Sequence, residues 1–466
     1  MLRKLKNRWA EEDGYKDILR MAVPLILSTG SLTLLHFVDR MFMAWYSPEA
    51  IAAAMPAGII NFTLMSLFFG TSAYVSAFTA QYLGAGLHHR IGPAVWQGLY
   101  FALLAGLVVL PLYPSAGSLF RLIGHAPEVM ALEIDYFQIL VFGGFAVTAS
   151  SALSGFFGGL GQTKVVMWVS FVMTLVNIVL DYGLIFGKLG LPRMGIRGAA
   201  LATVIAEYSQ MLIYLTLAFG PWRDKRLGLA AGWRPDGELF RRLLRYGLPS
   251  GLHMMLETTG FALLILIMGQ YGTQALAASN IAFNINHLAF MPVIGLSMGV
   301  SILVGNCLGQ DRPDRAQRLT WSAFHMALLF LGAIGLAYVL APHWFLAPYA
   351  AKAEASQFPA IAQLATKLLR FVALYVIFDG MNIVFAGAIK GAGDTRFVMT
   401  VSVVLSWLVM ALPSWAAYRY FHWPLEASWV FLTAYIILLG MVFFLRFQGG
   451  RWKSMRVIEK QLDPVL

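Results

Sequence analysis

Charge is what this sequence has least of. Only 12% of its 466 residues are Asp, Glu, Lys or Arg, against roughly a quarter in soluble globular domains. With 59% hydrophobic residues, a soluble fold of this length would expose far more apolar surface than its scaling of area with mass permits. A bilayer solvates such side chains, so the chain reads as a membrane protein. Cysteine is nearly missing too. Cys307 stands alone, which excludes an intrachain disulfide, and its small apolar surroundings read as packing. No HExxH, no Walker motif, no clustered His/Cys set and no GxSxG with an evident histidine partner occurs. That argues against a membrane-embedded enzyme and against export powered by the chain's own ATP site. No cleavable signal peptide is visible.

Acids are scarcer than bases, 23 against 34, giving a net charge of +11. Nucleic-acid binding is not expected, because the basic residues gather at the ends of apolar runs. Those runs number twelve: 21–45, 51–80, 93–113, 131–157, 165–187, 197–219, 247–269, 277–305, 318–340, 363–388, 397–418 and 428–447. Each meets the roughly 20-residue requirement for a membrane helix. The polar first twenty residues, with Arg3, Lys4, Lys6 and Arg8, read as a cytoplasmic arm in which Trp9, Tyr15 and Ile18 face lipid. Residues 223–245 carry seven Lys or Arg, residues 312–318 carry Arg312, Arg315 and Arg318, and the tail carries Arg446, Arg451, Lys453, Arg456 and Lys460. With twelve spans all of these fall on one side, and the opposite side has mainly Arg121, Lys188, Arg193, Arg197, Lys352 and Arg419. The positive-inside rule then places both termini in the cytoplasm of an inner membrane.

The chain repeats itself. At an offset of 225, Pro24 meets Pro249, Asn61 meets Asn286, Gly70 meets Gly295, Ser76 meets Ser301, Arg90 meets Arg315 and Trp96 meets Trp321. Further on the offset becomes 232, where Gly155, Gly159, Gly161 and Thr163 meet Gly387, Gly391, Gly393 and Thr395. A unit of six helices preserves orientation, so the copies form two parallel lobes around a central cavity. The expected fold is therefore an all-α membrane protein. It has an arm (1–20), an N-lobe (21–219), a basic linker (220–246), a C-lobe (247–447) and a tail (448–466). Pro24, Pro249, Pro292 and Pro413 are expected to kink their helices.

Five acids in the predicted spans are candidates for function: Asp39, Asp181, Glu207, Glu257 and Asp379. A carboxylate in hydrocarbon is costly unless paired, neutralised or facing a wet cavity. Asn177 and Asp181 lie four apart on one helical face, as do Tyr375 and Asp379. Each pair offers hard oxygen ligands suited to sodium or, through the acid, to a proton. Asp39 completes the first set and Glu257 the second, with Glu207 a candidate relay. None of Asp39, Asp181, Glu257 and Asp379 has an acidic repeat mate, so these acids are not demanded by the duplicated scaffold. Arg40 is expected to snorkel outward. His36, His253 and His287 lie in spans, where packing is the plainer role.

These features resemble the multidrug and toxic compound extrusion (MATE) family, over about residues 17 to 447. The resemblance rests on Pro24 through Val38-Asp39, Gln81-x-x-Gly84-Ala85-Gly86, Gly155 through Thr163, Asn177-x-x-x-Asp181 and Gly387 through Thr395. It implies two six-helix lobes with a V-shaped cavity. In NorM-like members the positions of Glu257, Tyr375 and Asp379 bind the cation in the C-lobe, with Glu257 and Asp379 as sodium ligands. Asp39, Asn177 and Asp181 match the N-lobe cluster of NorM-like and DinF-like members. The implied activity is antiport of small organic cations against sodium or protons by alternating access, without other cofactors, by a monomer. A flippase for lipid-linked precursors is the alternative, but its phosphate cargo calls for a basic cavity, whereas these intramembrane charges are mainly acidic.

Overall fold

The computed structural model describes Trp9 and residues 14–220, 224–350 and 358–459. Arg3, Lys4, Lys6, Arg8, Arg223, Lys352 and Lys460 lie outside the described residues. Seventeen α-helices, and no strand, account for the described chain. They are α1 (Tyr15–Tyr46), α2 (Pro48–Ser72), α3 (Val75–Gly84), α4 (Ile91–Val109), α5 (Leu112–Ile123), α6 (Pro127–Val141), α7 (Gly144–Gly159), α8 (Thr163–Phe186), α9 (Ile196–Phe219), α10 (Gly237–Gly269), α11 (Thr273–Gly309), α12 (Pro313–Leu340), α13 (Pro342–Ala350), α14 (Phe358–Ala392), α15 (Thr395–Leu405), α16 (Leu412–Arg419) and α17 (Leu425–Gln448).

Eleven helical stretches among the described residues are long and apolar enough to cross a membrane, and the pair α6–α7, bent by 48°, makes twelve. Every expected run corresponds to one of them. The differences are local and have local causes. The third run was drawn to residue 113, but α4 stops at Val109 and Pro111 precedes a separate short helix, α5. The tenth was ended at 388, whereas α14 continues to Ala392 and keeps Lys390 inside the helix. Pro413 lies in the first turn of α16. It follows a π-helical stretch, Ser406–Ala411, where the wider turn absorbs the carbonyl that proline cannot serve.

Side chains are sorted inside out. Alanines such as Ala199, Ala200, Ala278, Ala282, Ala316 and Ala323 fill the helix contacts, while Leu107, Trp168, Leu175, Leu288 and Leu329 are exposed. Small residues let membrane helices approach, and lipid takes the large ones. Tyr15 and Ile18, expected to face lipid, are buried in the protein and belong to α1; only Trp9 is exposed. Cys307 is buried at 3% exposure, as expected of a packing residue.

The chain forms two compact units. The N unit comprises Leu27–Met255, Gly309–Asp311 and the chain from Arg456 on. The C unit comprises the chain up to Ile26, Leu256–Leu308 and Arg312–Met455. The crossings thus fall inside α1 and α10, not in the linker 220–246, and each unit carries the first turns of the other's leading helix.

The two units use one packing device. In the N unit, a Cβ added to Gly159 would come within 2.7 Å of the Ser76 carbonyl oxygen; in the C unit, one at Gly391 would overlap the Ser301 carbonyl oxygen. Gly159 and Gly391, like Ser76 and Ser301, are repeat mates. The duplicated sequence therefore buys the same close helix crossing twice.

In the N unit the tail is pinned beside the Gln81 motif. The Val457 amide donates to Gln81 Oε1 at 2.9 Å, and both residues are fully buried. Tyr82 Oη and Arg90 Nη2 each donate to the Glu459 carboxylate at 2.7 Å. Burial raises the Glu459 carboxyl, but the bonds from Tyr82 and Arg90 outweigh it and hold it below its usual range.

Candidate cation-coupling sites

The N-unit set comes together from four helices. α1 supplies Asp39, α8 supplies Asn177 and Asp181 one turn apart on its buried face, α6 supplies Tyr136, and α9 supplies Glu207. Asp39 is an electrostatic neighbour of Asp181, and Tyr136 lies within the field of Asp39, Asp181 and Glu207. Asn177 and Asp181 are fully buried. Both polar atoms of Asn177, both carboxylate oxygens of Asp181 and Oδ1 of Asp39 are buried with no hydrogen-bond partner. Buried polar atoms are nearly always paired, and an unmatched one is expensive. Such a concentration in one cluster marks a place built for something other than side-chain partners. Arg40 is exposed and makes no ion pair with Asp39 among the described residues, so the acid is not locked to it.

Glu207 sits at the break between α6 and α7. A Cβ at Gly143 would collide with its carboxylate, and the next residue, Tyr208, donates to the Phe142 carbonyl at 3.1 Å. A larger residue at 143 would push the Glu207 carboxylate away from the bend.

In the C unit, α14 carries Tyr375, Asp379 and Asn382 on one face. Tyr375 and Asp379 are buried, with Asn382 beside the carboxylate. Glu257 on α10, which is partly exposed, reaches Asp379 electrostatically. Tyr435 on α17 neighbours both acids. Lys390 also lies within reach of Glu257. Eleven residues on from Asp379, at about 100° per residue, it returns to the same helical face. Lys390 is thus a positive neighbour of Glu257, about three turns of α14 away from Asp379.

Tyr136, Tyr435 and Lys390 are absent from the sequence-derived sets. Lys390 lies beyond the expected end of the tenth run at 388, inside a helix that continues to Ala392. His36 and His287 are exposed and His253 is buried. The repeat mates Asn61 and Asn286 each keep a buried side-chain oxygen without a partner. That polar feature recurs in both copies, while the acids do not.

The donor sets suit a small hard cation to different degrees. The N-unit cluster offers several unmatched oxygens, which fits sodium or a proton. In the C unit, Glu257 and Asp379 are oxygen donors, but the fixed ammonium of Lys390 opposes a second positive charge at Glu257. Among the described residues no group of three or more His, Cys, Asp or Glu forms a metal-binding set, so any sodium site must draw on amide, phenol or backbone oxygens.

Comparison with known proteins decides the family. The MatE family profile matches residues 24–183 and again 249–415. The chain belongs to the MatE family. The two matches start 225 residues apart and end 232 apart, the offsets of the internal repeat. A probable multidrug resistance protein NorM of Bradyrhizobium diazoefficiens is 30% identical over 424 residues, covering 90% of each chain. One from Thermotoga maritima is 23% identical over 449 residues, covering 96% of this chain and 95% of its own. Among solved structures, an outward-facing multidrug resistance MATE family transporter of the MOP superfamily superposes with a TM-score of 0.85 at 20% identity, covering 96% of this chain and 97% of its own. This MatE chain is accordingly a multi-pass membrane protein whose relatives are named as multidrug transporters, and its fold is theirs.

Proposed function

We propose that the chain is a secondary active exporter that moves small organic cations out of the cell in exchange for sodium or protons. The observation that carries the reading is the set of unmatched buried oxygens on Asp39, Asn177 and Asp181. Negative side chains in low dielectric, with no protein cation locked to Asp181, attract any small cation that can reach them. The coupling cation binds these acids, and a drug cation competes for the same negative charge. Each visitor favours a different conformation, which is what coupling requires. Glu257, Tyr375 and Asp379 form the second negative site, with Lys390 a positive neighbour of Glu257. The basic linker and tail support cytoplasmic termini in an inner membrane, and a single chain suffices as a monomer.

Dye efflux from vesicles tests the reading. Wild-type protein should export a cationic dye when a sodium or a proton gradient is imposed, and Asp181→Asn or Asp379→Asn should reduce the rate steeply. Full export by both variants, with the ion dependence intact, would refute the assignment of these acids.

A further inference from the structure

One buried acid in the spans lies outside both clusters. Glu133, on α6, is fully buried (0% exposed), and its Oε1 meets His125 Nδ1 at 2.7 Å. His125 is 40% exposed. Gly124, left-handed at φ 79°, ends α5 and turns the chain so that His125 folds back onto a residue eight positions ahead. The other oxygen of Glu133, Oε2, is buried with no partner. A carboxylate kept only for structure would use both oxygens, or a glutamine would serve. Three residues on, one helical turn along the same face, stands Tyr136, buried and within the field of Asp39, Asp181 and Glu207. The His125–Glu133 pair and Tyr136 thus share α6, with Glu133 and Tyr136 one turn apart and Tyr136 in the field of the acid cluster.

We propose that His125 and Glu133 are the outer proton port of the Asp39–Asp181 cluster, a positioning and relay pair for coupling. This rests on the exporter reading and deepens it, assigning the proton to the N unit. The protonated imidazole gives its Nδ1 proton to Glu133 Oε1 and is reprotonated from bulk water. The neutral carboxyl rotates and hands a proton to the Tyr136 hydroxyl oxygen as that hydroxyl releases its own to Asp39 or Asp181. Each donor ends as it began, and one proton has moved inward. Other charges on the elements packed against α6 are Glu49 on α2, Arg121 on α5, and Arg197 and Glu207 on α9. Glu128 and Asp135 are on α6 itself. Arg121 is occupied by the Gly117 carbonyl and Ser118, and among the described residues only His125 bonds Glu133.

The test uses full-length protein in proteoliposomes, with dye export driven by a proton gradient alone or a sodium gradient alone, and binding of the dye measured separately. Glu133→Gln should slow proton-driven export on the order of 10²-fold, the size of a lost proton-transfer group, and leave dye binding and any sodium-driven export unchanged. His125→Asn, an exposed change that spares the core, should slow proton-driven export and leave sodium-driven export unchanged. Glu133→Asp should restore part of the rate. The proposal is overturned if both substitutions leave proton-driven export at the wild-type rate, or if they reduce sodium-driven export equally. It is also overturned if wild-type protein exports with sodium only, in which case the exporter reading survives. Export under neither gradient would sink both. Should Glu133→Gln misfold, His125→Asn decides alone.

Discussion

Adding one methyl group at Gly159 or at Gly391 should cost the two units similar amounts, because the repeat mates do the same work. At Gly159 the new Cβ would lie 2.6 Å from Thr79 Cβ and 2.7 Å from the Ser76 carbonyl oxygen; at Gly391 it would overlap the Ser301 carbonyl oxygen. Backbone cannot step aside as a flexible side chain does, so the helices must separate. Overpacking of this kind costs about 1–3 kcal/mol. Alanine also returns about 0.5–1 kcal/mol of helix propensity relative to glycine, leaving a net loss of about 0–2.5 kcal/mol, with the larger loss expected at Gly391. Gly30 and Gly332 are controls, since nothing lies within 4 Å of a Cβ at either, and alanine there should stabilise by about 0.5–1 kcal/mol. Cys307, the one cysteine and 3% exposed, lies in the C unit, so a thiol-reactive dye reports unfolding there, and loss of near-UV circular dichroism in detergent reports unfolding of either unit. A unit of about 200 residues shifts its melting temperature by about 2–4 °C per kcal/mol. Both repeat glycine variants should therefore melt several degrees below both controls. Equal melting of all four would refute the shared-crossing argument.

Lys390→Gln removes a positive neighbour of Glu257 from the C-unit site. The apparent affinity for the coupling cation should rise about tenfold, equivalent to about 1.4 kcal/mol, as read from the ion dependence of dye efflux; no change would mean that Lys390 does not sense Glu257. The docked tail should respond to acid. A folded-state carboxyl held low stabilises above its unfolded value and loses that contribution as pH falls through the folded value, so tail protection should be full at neutral pH and fade only in acid below the ordinary glutamate range. Glu459→Gln should mimic the acid, raising hydrogen exchange at the Val457 amide about 5- to 30-fold, the equivalent of about 1–2 kcal/mol; the partial exposure of Glu459 puts the lower end in view.

Much of the fold was legible because the bilayer imposes a coarse, length-based grammar. Twelve apolar runs, an internal offset of 225 then 232, and polar pairs four apart all survive into the structure. What sequence could not show depends on packing across helices. Periodicity cannot tell that Tyr15 and Ile18 turn inward, because both an interfacial and a buried helix suit their spacing. Nor can it tell that α1 and α10 are shared between units, since the hydrophobic runs there are unbroken. Asp39, Asn177 and Asp181 were readable as acids and amides out of place in hydrocarbon. Tyr136 was not, because a tyrosine in a membrane helix is unremarked until its neighbours are known. Glu133 stood near the polar start of its run, where an acid attracts no notice until burial is seen. Lys390 was lost to a helix end drawn four residues short.

The most direct measurement is whether an organic cation displaces a small one. Purified protein in detergent, lightly buffered and with or without sodium, is titrated with a cationic dye while released protons or sodium are counted. The account predicts displacement of at least one cation per dye bound, reduced in Asp181→Asn and in Asp379→Asn and abolished in the double variant. Tight dye binding with no cation released by the wild-type protein, under either condition, would contradict it.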